Sequence, residues 1–314
     1  MPDAWEIAIL DINRVTETAR ADDMVPGSDG DALSKCQQVA ALADDLGTES
    51  IQQLIAYLGD EHPFVRWEAG IALGDVAARL QKDARWGRSA WAKGSSTVTL
   101  SELLTWMQES LQSDAPERRS ATADALGLWH DEAGTSLLLQ TLHDDDALVR
   151  VSTATALGKA KPDGSVQALV AALTDPSFWV RRAAADALGA IGDLQAVPAL
   201  RQALSDPDVL VRTATIAALG HMNSGQAREA LVEATHSDEP AMRWYAARGL
   251  TRVGTVSALP ALRELSQDEN VLFGSPIAEM ADAAIDAIEM RQEGFLNWLS
   301  KVFYDARYRL QRKR

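Results

Sequence analysis

Cysteine occurs once in the 314 residues, as Cys36, which excludes an intramolecular disulfide and any cysteine-clustered metal site. No apolar run approaches the ~20 residues that span a bilayer. The opening "MPDAWEIAIL" has no basic, apolar-cored leader, so a soluble, cytoplasmic protein is expected. Positive charge is also scarce: 30 Lys and Arg against 45 Asp and Glu leave a formal charge of −15. An acidic body repels phosphate backbones, and nucleic acid is therefore not an expected partner. The five histidines (His62, His130, His143, His221 and His236) include no His-Glu pair and no pair four residues apart. Neither a glycine-rich phosphate loop nor a Gly-x-Ser-x-Gly turn occurs. These gaps lead to the expectation of no catalytic residue, no metal and no cofactor.

What the chain does have is repetition. "VRRAAADALG" ends at Gly189 and "VRTATIAALG" ends at Gly220. Arg119, Arg150, Arg181, Arg212 and Arg243 follow one another at intervals of 31. Eight residues after each stands Gly127, Gly158, Gly189, Gly220 or Thr251, with a leucine just before it. A further copy, "VRWEAGIALG", carries Arg66, which is 53 residues before Arg119 and so implies an insertion of 22. "ALADDLG", ending at Gly47, reads as a worn earlier copy, and Ala281 to Ile288 as a worn later one. Self-similarity at such a period marks a stacked repeat architecture, in which each unit buries its apolar face on its neighbours.

Each repeat reads as helix, turn, helix. In "SVQALVAAL" (Ser165 to Leu173), Val166, Leu169, Val170 and Leu173 fall at helical spacing. After "TDPS" a second helix is predicted from about Phe178 to Ile191, with Val180, Ala184, Ala187, Leu188 and Ile191 as its apolar stripe. Asp146, Ser177 and Asp208 stand where an N-cap is needed, and Pro63, Pro116 and Pro240 at a first helical position. The repeat glycine, costly in mid-helix, is read as serving close packing or helix termination. Asp60–Arg66, Asp144–Arg150, Asp175–Arg181 and Asp206–Arg212 recur as a ladder, with Ser113 and Ser237 at the aspartate position elsewhere. Each arginine is expected to bond the aspartate of its own or the preceding turn.

This pattern resembles the HEAT repeat, and its regular 31-residue form is similar to the HEAT-like repeats of phycobilin lyases and their non-photosynthetic relatives. The resemblance implies an all-α, right-handed α-solenoid of six to eight helix pairs. It also implies a concave surface lined by the second helices. HEAT-like metal hydroxylases carry repeated His-Glu dipeptides, which are missing from this chain. The segments expected are N-terminal helices with a degenerate capping repeat over 1–47 and repeats over 48–267 with the insertion at 81–100. A degenerate last repeat over 268–292 and a basic amphipathic helix over 293–314 complete the chain.

Relative to each arginine, positions −2, +1 and +5 lie opposite the core stripe. They hold Phe64, Trp67 and Ile71 in one repeat, Trp179 and Arg182 in another, and Trp244 and Arg248 in a third. Ser120 and Thr213 occupy the same register elsewhere. Folding does not call for exposed aromatic residues at these places, and such patches mark partner sites. The insertion adds Trp86 and Trp91 among Lys82, Arg85, Arg88 and Lys93. These nine residues are the candidate partner-binding set, with another protein as the partner. In the C-terminal "GFLNWLSKVFYDARYRLQRKR", Phe295, Leu299, Val302, Phe303, Ala306 and Leu310 line one side of a helix that carries Lys301, Arg307, Arg309, Arg312, Lys313 and Arg314. It suits either a cap over the last repeat or contact of residues 295–314 with an anionic membrane or acidic partner. The function expected is a non-catalytic protein-binding scaffold or assembly factor. The aromatic-bearing "MRWYAARGL" (Met242 to Leu250) resembles repeats of E/F-type bilin lyases, which makes a lyase subunit or bilin-chromoprotein chaperone the alternative. A peripheral membrane adaptor is a further alternative.

Overall fold

The computed structural model describes residues 30–85, 98–129 and 132–311, with the side chains of 83–85 and 295–311 left aside. Fifteen α-helices hold about three quarters of the described residues, which form an all-α repeat fold. The contacts group it into two compact units, residues 1–191 and 192–314.

The first unit contains α1 (Gly30–Ala43), α2 (Thr48–Tyr57), α3 (Pro63–Arg85), α4 (Leu100–Ser110), α5 (Pro116–Leu126), α6 (Glu132–Thr141), α7 (Ala147–Ala160), α8 (Ser165–Ala172) and α9 (Phe178–Ile191). The second helices α1, α3, α5, α7 and α9 pack side by side in chain order. Local chemistry sets their ends. Asp146 accepts the N–H of Leu148 at the start of α7, and Thr99 and Glu102 form a reciprocal capping box at the start of α4. Pro116 opens α5, where its missing N–H costs nothing. Val180, Ala184, Ala187 and Leu188 of the expected stripe are buried. Ala183 and Ala185 are buried as well, α9 being packed on both α7 and α8. Thr122 and Thr153, also buried, satisfy their hydroxyls on the carbonyls of Arg118 and Val149 one turn back.

The arginine ladder differs from its expected form. Arg150 donates Nη1–H to its own turn, at the carbonyls of Asp144 (2.8 Å) and Asp145 (3.0 Å). Its carboxylate partner, however, is in the following repeat: Nε and Nη2 donate to the two oxygens of Asp175 at 2.8 and 2.9 Å. Arg119 does the same with Ser113, Asp114 and Asp144. The reason is stacking. The turn 25 residues ahead lies beside the arginine, and each such aspartate also accepts a backbone N–H of its own turn, as Asp144 does from Asp146. The same register locates the earliest copy. Lys35, 31 residues before Arg66, pairs with Asp60 at 3.2 Å, and Gly47 precedes α2 rather than ending a second helix. "ALADDLG" is therefore out of register by a few residues, because its Leu-Gly imitates a repeat ending that Leu42 and Ala43 occupy.

The repeat glycines serve close packing. A Cβ on Gly158 would stand 2.7 Å from Cα and Cβ of Ala187, and one on Gly127 would stand 2.7 Å from Cβ of Ala156. Gly127 keeps right-handed helical angles (φ −62°), so it does not act as a left-handed terminator; Lys161, at φ 50°, ends α7 instead.

The second unit contains α10 (Val197–Ala203), α11 (Val209–Leu219), α12 (Gly225–Ala234), α13 (Pro240–Val253), α14 (Leu259–Leu265) and α15 (Ile277–Gln311). Short 3-10 turns, Leu194–Ala196 and Val256–Ala258, lead into α10 and α14. Arg243 repeats the clamp, donating to Ser237 O and Asp268 Oδ2. Arg212 donates to Asp206 O and, with serine at 237, to Glu239 two residues further on. A hairpin precedes α15 and is the only strand pair among the described residues. β1 (Val271–Leu272) pairs antiparallel with β2 (Ser275–Pro276) around Phe273 and Gly274, both at positive φ. That is the geometry of a tight I′-type connection. Ile277, Ala281, Ala284 and Ile288 of α15 are buried, and α15 packs on α13 and α14.

Three outcomes follow from this packing. Gly158→Ala should lower stability by about 1–3 kcal/mol through overpacking, read in denaturant melts. Arg150→Ala and Asp175→Ala should each cost about 1–3 kcal/mol, and the double variant markedly less than their sum. At Asp144, Asp175 and Asp268, partial burial pushes the carboxyl up. Arg119, Arg150 and Arg243, with the turn N–H groups, outweigh it and hold each below the ordinary carboxylate range. A depressed folded value contributes stability above the unfolded value, near 3.9, and loses it as pH falls through the folded one. The thermal midpoint should therefore fall steeply below about pH 4, and less steeply in Arg150→Ala, whose Asp175 has already lost its guanidinium.

Candidate functional site

In the first unit the ladder and the glycines fix the buried flanks of the second helices, leaving positions −2, +1 and +5 for other use. Phe64, Trp67 and Ile71 lie on α3. The Phe64 and Trp67 rings stack at 5.6 Å, and His62 Nδ1 accepts the N–H of Phe64 at the helix start. Trp67 is 51% exposed, while Phe64 and Ile71 are half-buried. On α9, Trp179 is 43% exposed and rests against Phe178 with ring centroids 4.5 Å apart. Arg182, half-buried, lies 3.8 Å from Asp186 one turn on. Leu148 on α7, at the same register as Phe64 and Trp179, is 49% exposed. Ser120 does not join the exposed set. It is buried between α5 and α7, where its hydroxyl meets that of Ser152 at 2.7 Å.

The second unit places Trp244 and Arg248 on α13, with the Arg248 guanidinium 5.5 Å from the Trp244 ring centroid, a cation–π distance. Trp244 is half-buried rather than free. Its ring meets Tyr245 and Phe273 edge-on, each at 5.0 Å. Phe273 holds a left-handed backbone (φ 53°) that a bulky residue adopts only at some cost. The aromatic contacts compensate for it. Thr213, at the register of Trp244, is buried.

Phe178, Tyr245 and Phe273 were not among the residues expected from sequence. Phe273 lies outside the repeat register, and its signal was "NVLFGSP", a turn-bearing stretch between extended residues. Trp86, Trp91 and His130 lie outside the described residues, as do the side chains of the C-terminal basic segment.

Among the described residues no group of three or more His, Cys, Asp or Glu has the placement to hold a metal ion. His221 is engaged with Arg252 (2.9 Å) and His236 with Glu264 (3.4 Å). A groove of about 510 Å³ in the first unit is lined by Gln52, Ile55, Trp106, Glu109, Ser110 and Arg118, and Arg118 is held by Ser110 at 3.0 Å. No helix among the described residues is long and apolar enough to cross a membrane.

The chain matches the family model for HEAT repeats three times, over residues 101–177, 135–217 and 197–273. No curated protein matches it at the level taken as significant. Among solved structures it is similar to YibA of Escherichia coli, at 19% identity and TM-score 0.50, over 76% of this chain and 92% of that one. It is also similar to an engineered protein, at 22% identity and TM-score 0.46, over 92% and 81%. The CpcE–CpcF complex of phycocyanin lyase from Nostoc is a third, at 19% identity and TM-score 0.41, over 76% and 94%. At these identities the likeness is one of fold.

The two tryptophan environments differ in what truncation should do. Trp67→Ala should melt within about 0.5 kcal/mol of the parent, because an exposed ring leaves no cavity. Trp244→Ala removes the support of Phe273 and should cost about 1–2 kcal/mol, read by the same melts.

Proposed function

The chain belongs to the HEAT-repeat family, and from that premise we propose that it is a non-catalytic, protein-binding scaffold or assembly factor. Each unit contributes a face of its second helices: Phe64, Trp67, Ile71, Trp179 and Arg182 in the first, Trp244 and Arg248 in the second. The observation that supports this reading is the exposure of Leu148 and Trp179 at position −2 and of Trp67 at position +1, on three second helices. The clamp and the glycines hold the fold without them. Large apolar side chains repeated on one face of a monomer mark an interaction surface. Tryptophan and arginine are the residues that dominate such interfaces when a partner buries them.

Mutual capture tests it. A tagged parent chain and the Trp67→Ala and Trp179→Ala variants are compared by affinity purification with mass spectrometry, after melts establish that the variants fold. The partner should be retained by the parent and weakened at least about tenfold in each variant. If both variants keep every partner, the face lies elsewhere, and the insertion with Trp86 and Trp91 is the next place to substitute. A bilin chromoprotein among the captured partners would turn the reading to the lyase-subunit alternative.

A further inference from the structure

The open strip of the first unit carries charge of one sign. Lys35, 31 residues before Arg66, sets the register of α1. The row at position −2 over α1, α3, α5, α7 and α9 therefore reads Leu33, Phe64, Glu117, Leu148 and Trp179. Leu33 is exposed, as Leu148 and Trp179 are. Positions −2, +1, +2 and +5 share one side of each helix, within roughly 100° of arc. There the five helices hold four acids, Glu68, Glu117, Asp124 and Asp186, against one cation, Arg182. The clamp between repeats uses none of the four. Glu68 and Glu117 have no ion-pair partner among the described residues. Ser152 Oγ stands 3.5 Å from Asp124 Oδ2, so Asp124 borders α7 as well as its own helix. The same four positions of α11 and α13, in the second unit, hold no acid and one cation, Arg248. The negative sign thus belongs to this strip, and is not an even share of the chain's net charge.

A second copy docked face to face sets acid on acid, because an isologous contact pairs a patch with itself. Nucleic acid and anionic lipid are repelled from the strip for the same reason. A cationic polypeptide is attracted, and its apolar side chains have the exposed row to cover. Spacing selects its conformation. The second helices approach until Gly158 meets Ala187, which puts their axes about 8–10 Å apart. The row offers one side chain per helix, and so one contact at each such step. An α-helix sets neighbours on one face about 5.4 Å apart and a β-strand about 6.8 Å apart, both too short for that step. A polyproline-II chain returns to the same face at every third residue, after about 9.3 Å. We propose that the strip over α1, α3, α5, α7 and α9 binds an extended, cationic segment of another protein, with an apolar side chain at every third residue. Its apolar side chains cover the row, and the cations between them meet Glu68, Glu117, Asp124 and Asp186. Trp67 and Trp179 supply the aromatic faces on which such extended segments rest. The inference depends on the scaffold reading and specifies the chemistry of its partner.

The probe is a fluorescent peptide of five Leu-Lys-Pro triplets, in which proline keeps the chain extended and out of a helix. Anisotropy titrations of the full chain compare it with peptides of Leu-Glu-Pro and of Ser-Lys-Pro triplets. It should bind at least about tenfold more tightly than either, and the binding should weaken as salt rises. Glu117→Lys with Asp124→Lys should lower its affinity at least about tenfold, as should Trp179→Ala. These substitutions change exposed side chains, so both variants should melt as the parent does. Glu132→Lys with Asp163→Lys shifts the net charge equally, away from the strip, and should leave the affinity within about twofold. Equal binding by either control peptide overturns the proposal, as does an equal loss in the two charge-reversal variants. No binding of the Leu-Lys-Pro peptide at low salt also overturns it. In that event, a partner that the parent captures and Trp179→Ala loses leaves the scaffold reading standing without the cationic assignment. Self-association of the free chain that Glu117→Lys with Asp124→Lys abolishes, seen by analytical ultracentrifugation, overturns it in favour of a second copy.

Discussion

At Arg119, Arg150, Arg212 and Arg243 one guanidinium near the start of a second helix bonds two neighbouring turns at once. In Arg150 a single nitrogen satisfies the carbonyls of its own turn, and the remaining edge meets both oxygens of the next repeat's aspartate. That aspartate simultaneously fixes its own turn by accepting a backbone N–H, as Asp175 does from Ser177. Turn geometry and stacking are therefore coupled through one residue pair. Arginine is suited to this position because its planar fork matches a carboxylate in two parallel bonds while keeping a donor for the carbonyls. Lys35, a point charge at the equivalent place, makes the ion pair to Asp60 but has no fork with which to share it.

Once the turns are clamped, the second helices approach closely enough that the residues between them must be small. The contacts that a Cβ would make at Gly127 and Gly158 are to the helix of the following repeat. Alanines and inward-turned threonines fill the same flanks. Two flanks and one inner face of each second helix are thus committed to the fold. Only a narrow strip is left for function, and in the first unit Trp67, Leu148 and Trp179 occupy it.

The end of the array is built differently. After Arg243 the clamp still reaches Asp268, but the segment beyond forms a hairpin, and α15 supplies the closing apolar face. Phe273 joins that hairpin to α13 by meeting Trp244 and Tyr245. This converts Trp244 from a free side chain into a partly structural one. Terminal repeats of stacked folds carry special covers because one apolar face has no following neighbour.

The sequence by itself determined the repeat, its period, the helix pairs and most of their caps, because these depend on interactions within a few residues: an Asx cap, a proline at a first turn, apolar spacing of three and four. Phe178 to Ile191 was legible to the residue for that reason. Tertiary structure alone decided which turn each arginine reaches, since Asp144 and Asp175 are equally acceptable acceptors by chemistry and only stacking brings one of them near Arg150. It also decided which positions opposite the core stripe remain open. Trp67 and Ser120 share a register, yet one is exposed and the other is enclosed by an adjacent helix. Helical phase gives a residue's direction from its own axis, whereas exposure depends on the distance to the next helix, which is set by side chains about 30 residues away.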